Sequence, residues 1–154
     1  VKRAKPSKSA ILIHHRQRAV SYDRLLLEKI VHAAWPDCLK IAQKNNAELS
    51  TLDSVEVSIL GTRAMAQVHR DFLNIPGATD VITFPYGEIL VCAPVAAARA
   101  REFRNTPTIE LALYIIHGLL HLSGHDDIEP AQAKAMAAMQ QKILEAALSR
   151  VTGK

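Results

Sequence analysis

Apolar residues recur along this chain at two spacings. Val55, Val57 and Ile59 are separated by Glu56 and Ser58, the alternation of a half-buried strand, and Gly61 ends the pattern. Ala10 to His15 predicts an earlier strand. Thr79 to Tyr86 and Glu88 to Cys92 predict two more, joined tightly at Tyr86-Gly87, with Pro85 marking an irregularity. Helical spacing fills the intervals. Tyr22 to Trp35 carries Leu25, Leu26, Ile30, Ala33 and Ala34, with Ser21 as N-cap and Pro36 as the stop. Arg63 to about Phe72 carries Met65, Val68 and Phe72; Val95 to about Phe103 follows Pro94, which suits a first helical turn. A last helix opens at Pro130, with Gln132, Met136, Met139, Ile143 and Ala147 on one face. Asn45 to Asp53 and Asn74-Ile75-Pro76-Gly77 read as a loop and a turn. Two adjacent strands mid-chain and two adjacent helices at the end predict an α+β fold: one domain over residues 1–154, with one mixed sheet of about four strands and helices packed on it.

The helix from about Thr108 to Ser123 breaks the amphipathic rule. Leu111, Leu113, Ile115, Ile116, Leu119, Leu120 and Leu122 make it apolar nearly all round, as in a buried central helix. Its polar residues, Glu110, Tyr114, His117 and His121, form one stripe. His117 and His121, four apart, face the same way. Gly124 suits the left-handed turn that ends a helix and returns the chain toward both rings. Two imidazoles and a third N or O donor, with one position open, is how a catalytic zinc is held. A metal site is therefore expected at this helix end. The His-x-x-x-His-x-x-Gly-x-x-ligand spacing makes Asp127 the third ligand, with His125 as competitor. Where zinc peptidases carry the general-base Glu, this chain has Gly118, which argues against that chemistry.

Composition narrows the partners. Of 154 residues, 49% are hydrophobic and 22% charged, ordinary for a soluble domain, and no apolar run approaches the roughly 20 residues of a membrane span. The start, Val1 to Lys8, reads as a flexible basic tail and not a signal peptide. Cys38 and Cys92 form no metal motif, so both are expected as free thiols in a reducing cytoplasm. The net charge of +4 and pI near 9.2 favour a polyanion. The basic residues cluster at Arg16 and Arg18, at Arg63 and Arg70, and at Arg99, Arg101 and Arg104. His14, His15 and His32 lack ligand spacing and are expected at the surface.

His-Gly-Leu-Leu-His-Leu-Ser-Gly-His-Asp-Asp, from His117 to Asp127, resembles the His-Gly-x-Leu-His-Leu-x-Gly-Tyr-Asp-His signature of the YbeY family of bacterial rRNA-maturation endoribonucleases. Thr79 to Pro85 resembles its Thr-Asp-Val-Leu-Ser-Phe-Pro, and Gly87 to Cys92 its Gly-Asp-Ile-x-Ile-Cys. Order and spacing agree over nearly the whole chain. The resemblance implies one Zn2+, or another divalent ion, held by His117 and His121. It also implies a single-strand-specific endoribonuclease that trims precursor 16S rRNA at its 3′ end and serves ribosome quality control. The implied partners are the ribosome or its small subunit and assembly proteins, with no membrane. The family's third ligand is a His, here Asp127; its tyrosine is His125. Its Tyr-Arg pair, linked to activity, falls at Phe72-Leu73, and Arg70, three residues before Leu73, is the candidate to replace it. Asp126, His125 and Glu88 are candidate proton acceptors, and Arg63 or Arg70 a candidate for balancing transition-state charge. A non-catalytic ribosome-assembly factor braced by its metal and, more remotely, a zinc peptidase are the alternatives.

Overall fold

The computed structural model describes residues 10–154; the expected tail, Val1 to Lys8, lies outside the described residues. The elements run β1 (Ala10–Arg16), α1 (Arg24–Asn45), a 3-10 turn (Glu48–Ser50), β2 (Ser54–Leu60), α2 (Thr62–Leu73), β3 (Val81–Phe84), β4 (Glu88–Cys92), α3 (Ala93–Glu102), α4 (Pro107–Leu122) and α5 (Pro130–Thr152). The fold is α+β with one mixed four-stranded sheet, as the strand pattern predicts, and the strand order is β1-β2-β4-β3. β1, β2 and β4 are parallel, and β3 closes one edge antiparallel to β4. Among the described residues no helix is long and apolar enough to cross a membrane.

The sheet separates two cores. Val55, Val57 and Ile59 of β2 and Ile89 and Val91 of β4 face α1, α4 and α5, in one cluster with Leu27, Ile30, Leu111, Ile115, Leu119 and Ile143. The intervening Leu90 and Cys92 of β4 face the other way, into a smaller cluster with Leu60, Met65 of α2 and Ile82. β4 is thus buried on both faces, which explains its unbroken apolar run.

Helix α1 departs from expectation at both ends. Asp23, not Ser21, is the N-cap: its side chain accepts from the Leu26 N–H. Pro36 does not stop the helix, which continues to Asn45. A proline removes one intrahelical hydrogen bond and crowds the preceding turn, a cost of about 3 kcal/mol. Here it sits on the exposed face, while the buried stripe Leu27, Ile30, Val31, Ala34, Cys38 and Ala42 runs past it. Arg150 of α5 donates to the Ala33 carbonyl (2.9 Å) and pairs with the Asp37 carboxylate (2.9 Å), tying α5 to α1 on either side of Pro36. Packing therefore overrides the local signal.

Three smaller corrections follow. The loop from Asn45 to Asp53 contains the 3-10 turn that buries Leu49. Gln132 is exposed and does not share the apolar face of α5; it completes a capping box, accepting the Glu129 N–H at 3.2 Å. His15 is not free surface, since its Nδ1 lies 2.6 Å from the Tyr22 hydroxyl and its Nε2 3.2 Å from Glu28.

Candidate metal centre

Helix α4 is held so that its polar stripe floors a cleft. Thr106 caps its N-terminus, accepting from the Ile109 N–H. At Gly118 the helix approaches the sheet so closely that a Cβ would lie 2.9 Å from two side-chain carbons of Ile89 and 3.0 Å from the Thr83 hydroxyl. That contact turns His117 and His121 outward on the neighbouring face. At the C-terminus the buried Ser123 hydroxyl lies within hydrogen-bonding distance of the Leu119 and Cys38 carbonyls, and Asn45 donates to the Ser123 carbonyl at 2.9 Å. Gly124 then takes φ +98°, the left-handed turn its position predicted, and Asp127 returns to the histidines.

The two Nε2 atoms are 3.1 Å apart, and Asp127 Oδ2 lies 3.4 Å from that of His117 and 3.6 Å from that of His121. The outer nitrogens set the tautomers. His117 Nδ1–H donates to Gln140 Oε1 (2.9 Å), and His121 Nδ1–H donates to the His125 carbonyl (3.1 Å). Both partners are pure acceptors, so both Nδ1 atoms carry the hydrogen in the neutral rings. Two Nε2 lone pairs and a carboxylate oxygen then converge with no proton between them, an arrangement that calls for a cation. The spacing fits one: a tetrahedron with bonds of about 2.0–2.1 Å has edges of about 3.3 Å. His117, His121 and Asp127 could therefore hold a metal ion. His125 contributes its carbonyl to orientation, while the carboxylate stands in the ligand group. Gln140, on α5, escaped sequence reasoning; 23 residues of separation and an unremarkable helical context give no signal.

The three side chains remain 24%, 27% and 40% exposed, so the group opens outward. It opens onto a cleft of about 690 Å³ whose wall includes Glu48, Asp80, Thr83, Arg99, Glu110 and Tyr114. Burial raises the Tyr114 phenol pKa, as do the charges of Glu110 and Asp80, against the opposing effect of Arg99; the hydroxyl stays protonated. The other expected site residues lie elsewhere. Arg70 is exposed on α2, bonded to Gln67 and close to Asp71. Glu88 starts β4 and accepts from the Tyr86 hydroxyl. Asp126 accepts the Asp127 N–H at 2.9 Å. None of the three lines the cleft; among the described residues, the arginine that does is Arg99.

The chain has known relatives. Residues 13–148 match the family model described as Endoribonuclease YbeY. Curated proteins of that name share 37% identity over 118 residues in Mycolicibacterium vanbaalenii (64% of this chain, 61% of that one) and in Mycobacterium tuberculosis (64% and 63%). One from Mycolicibacterium paratuberculosis is 33% identical, with 71% and 73% covered. The first of these relatives are matched over only about three fifths of their length. A solution structure from Thermotoga maritima superposes with a TM-score of 0.62 at 30% identity, covering 92% of this chain and 93% of that one. By the length of the match, the chain belongs to the endoribonuclease YbeY family.

Proposed function

We propose that the chain is a zinc-dependent, single-strand-specific endoribonuclease of the cytoplasm. Its proposed work is rRNA maturation, chiefly at the 3′ end of 16S rRNA, and ribosome quality control beside the small subunit and its assembly proteins. The observation that carries this reading is the convergence of three acceptors, His117 Nε2, His121 Nε2 and Asp127 Oδ2, on one point that faces an open cleft.

His117, His121 and Asp127 would hold the ion. When bound, a divalent ion such as zinc supplies Lewis acidity toward a phosphoryl oxygen and makes hydroxide available near neutral pH. Gln140 and the His125 carbonyl orient the rings, the partnership that fixes ligating histidines generally. Asp126 acts as a positioning residue: by accepting the Asp127 N–H it sets the loop that carries the third ligand. To Arg99, the arginine in the cleft wall, we assign the charge balance at the phosphate that the sequence offered to Arg63 or Arg70. A peptidase base has no place at residue 118, which is pressed against Ile89 and Thr83. An ion serving only as a brace would be expected in a closed ligand sphere, and this group opens outward.

The test is cleavage of labelled single-stranded RNA by purified protein, with and without chelator, beside His117→Ala. Cleavage should disappear in both cases, and zinc should restore it only to the chelated wild type. Cleavage that persists under both treatments would sink the proposal.

A further inference from the structure

We propose that a second pocket, between the end of β1 and the start of α2, grips the phosphodiester backbone of the RNA strand away from the metal centre. The proposal rests on the reading above that the substrate is RNA. The pocket, about 570 Å³, is lined by Arg16, Gln17, Arg18, Gly61, Thr62 and Arg63 among others, and no acidic side chain lines it.

Two basic clusters that are far apart in sequence meet here because β1 and β2 are parallel. Arg16 pairs in register with Leu60, so the loop leaving β1 and the first turn of α2 emerge at the same end of the sheet. The loop is braced by Gln17, whose amide donates to the Val20 carbonyl and accepts the Val20 N–H, both at 2.9 Å. All three arginines are exposed, and among the described residues none of their side chains makes a hydrogen bond or ion pair. Three guanidinium groups around one cavity, without a carboxylate between them, concentrate positive potential and present the planar fork that matches phosphate oxygens. Gly61 leaves the first turn of α2 without a side-chain cap, and that turn contains no acidic residue. Its N–H groups add to the arginines' field.

The metal cleft has the opposite character. Among the described residues, Glu48, Asp80, Glu110 and Asp127 line it against the one cation Arg99. A polyanion gains little from that wall, so affinity has to come from another surface. The cleft lies along β3, one edge of the sheet, and the pocket at β1, the other edge. Three interstrand spacings, about 14 Å, separate these edges. Only a strand several nucleotides long could engage both.

The experiment replaces Arg16, Arg18 and Arg63 with Ala, singly and together, with circular dichroism confirming the fold. Binding of a long single-stranded RNA is read by fluorescence anisotropy against salt in chelated protein, where cleavage is absent. Each lost phosphate contact flattens the log–log salt dependence by about 0.7, so the triple variant should lose about 2 from the slope. With zinc restored, KM for the long RNA should rise about tenfold or more while kcat holds. Cleavage of a dinucleotide, whose single phosphodiester cannot occupy both regions at once, should not change. Unchanged affinity and slope would overturn the proposal, as would a fall in kcat at constant KM. Arginine-dependent sedimentation with phosphatidylserine vesicles, alongside unaltered RNA binding, would also overturn it and mark a membrane contact instead. A wild type that binds RNA through these arginines yet cleaves none would remove the nuclease reading and leave the pocket standing.

Discussion

The metal cleft and the arginine pocket occupy opposite edges of one small sheet and are made of opposite materials. The cleft is built on a buried helix with its ligand group held by partners: the His117 ring by Gln140, the His121 ring by the His125 carbonyl, and the Asp127 backbone by Asp126. The pocket is built on a loop and a helix start, and its arginines are exposed and unpaired. Locked donors suit an ion, whose bonds tolerate little displacement. Free guanidinium groups suit a flexible backbone that can be gripped at many registers. The net charge of +4 is therefore a poor description of either region: one is acidic, the other wholly basic.

The largest effect should come from removing a ligand. His117→Ala or His121→Ala is expected to take bound zinc from one ion per chain to none after dialysis, measured by elemental analysis, while RNA affinity in chelated protein stays at the wild-type value. A parallel loss of RNA affinity would break the division between the two regions. Next comes Gln140→Leu, which removes the acceptor that orients His117 and should weaken zinc binding about 10- to 100-fold in a competition titration. Gly118→Ala tests whether the cleft depends on the close approach of helix and sheet. Its methyl group would meet Ile89 at 2.9 Å, and overpacking of this kind costs about 1–3 kcal/mol, read as a lower Tm.

The smallest effect at neutral pH concerns Cys38, which lines neither region. Burial pushes its thiol up from 9.0 to about 12, with Asp37 adding to the shift. Between these values the unfolded chain releases a proton that the folded chain keeps. The contribution to stability is therefore complete below pH 9 and is lost as pH rises toward 12. Tm should fall across that window, and Cys38→Ala should flatten the fall. The native thiol should also resist alkylation at pH 8 until the protein is denatured.

What could be read in the sequence was whatever depends on local spacing. The β2 alternation, the double-sided β4 run and the polar stripe of α4 are consequences of periods two and 3.6, and all appear in the fold. Asp127 was readable because Gly124 announces the turn that returns it. Pro36 misled because a packed stripe and the Arg150 tie outweigh one missing hydrogen bond. Gln140, Arg99 and the meeting of Arg16 with Arg63 were not readable, for a common reason. Each depends on which elements lie side by side, and parallel register and helix docking leave no mark in any single stretch of residues.

Gly118 limits what redesign can do with this scaffold. A worker wishing to graft peptide-bond hydrolysis onto it would reach first for glutamate between the histidines. That side chain would enter the layer between helix and strand, not the solvent-facing groove, and would have to evict Ile89 to do so. Any new reactivity is better introduced from β3 or α5, whose residues already face the open side.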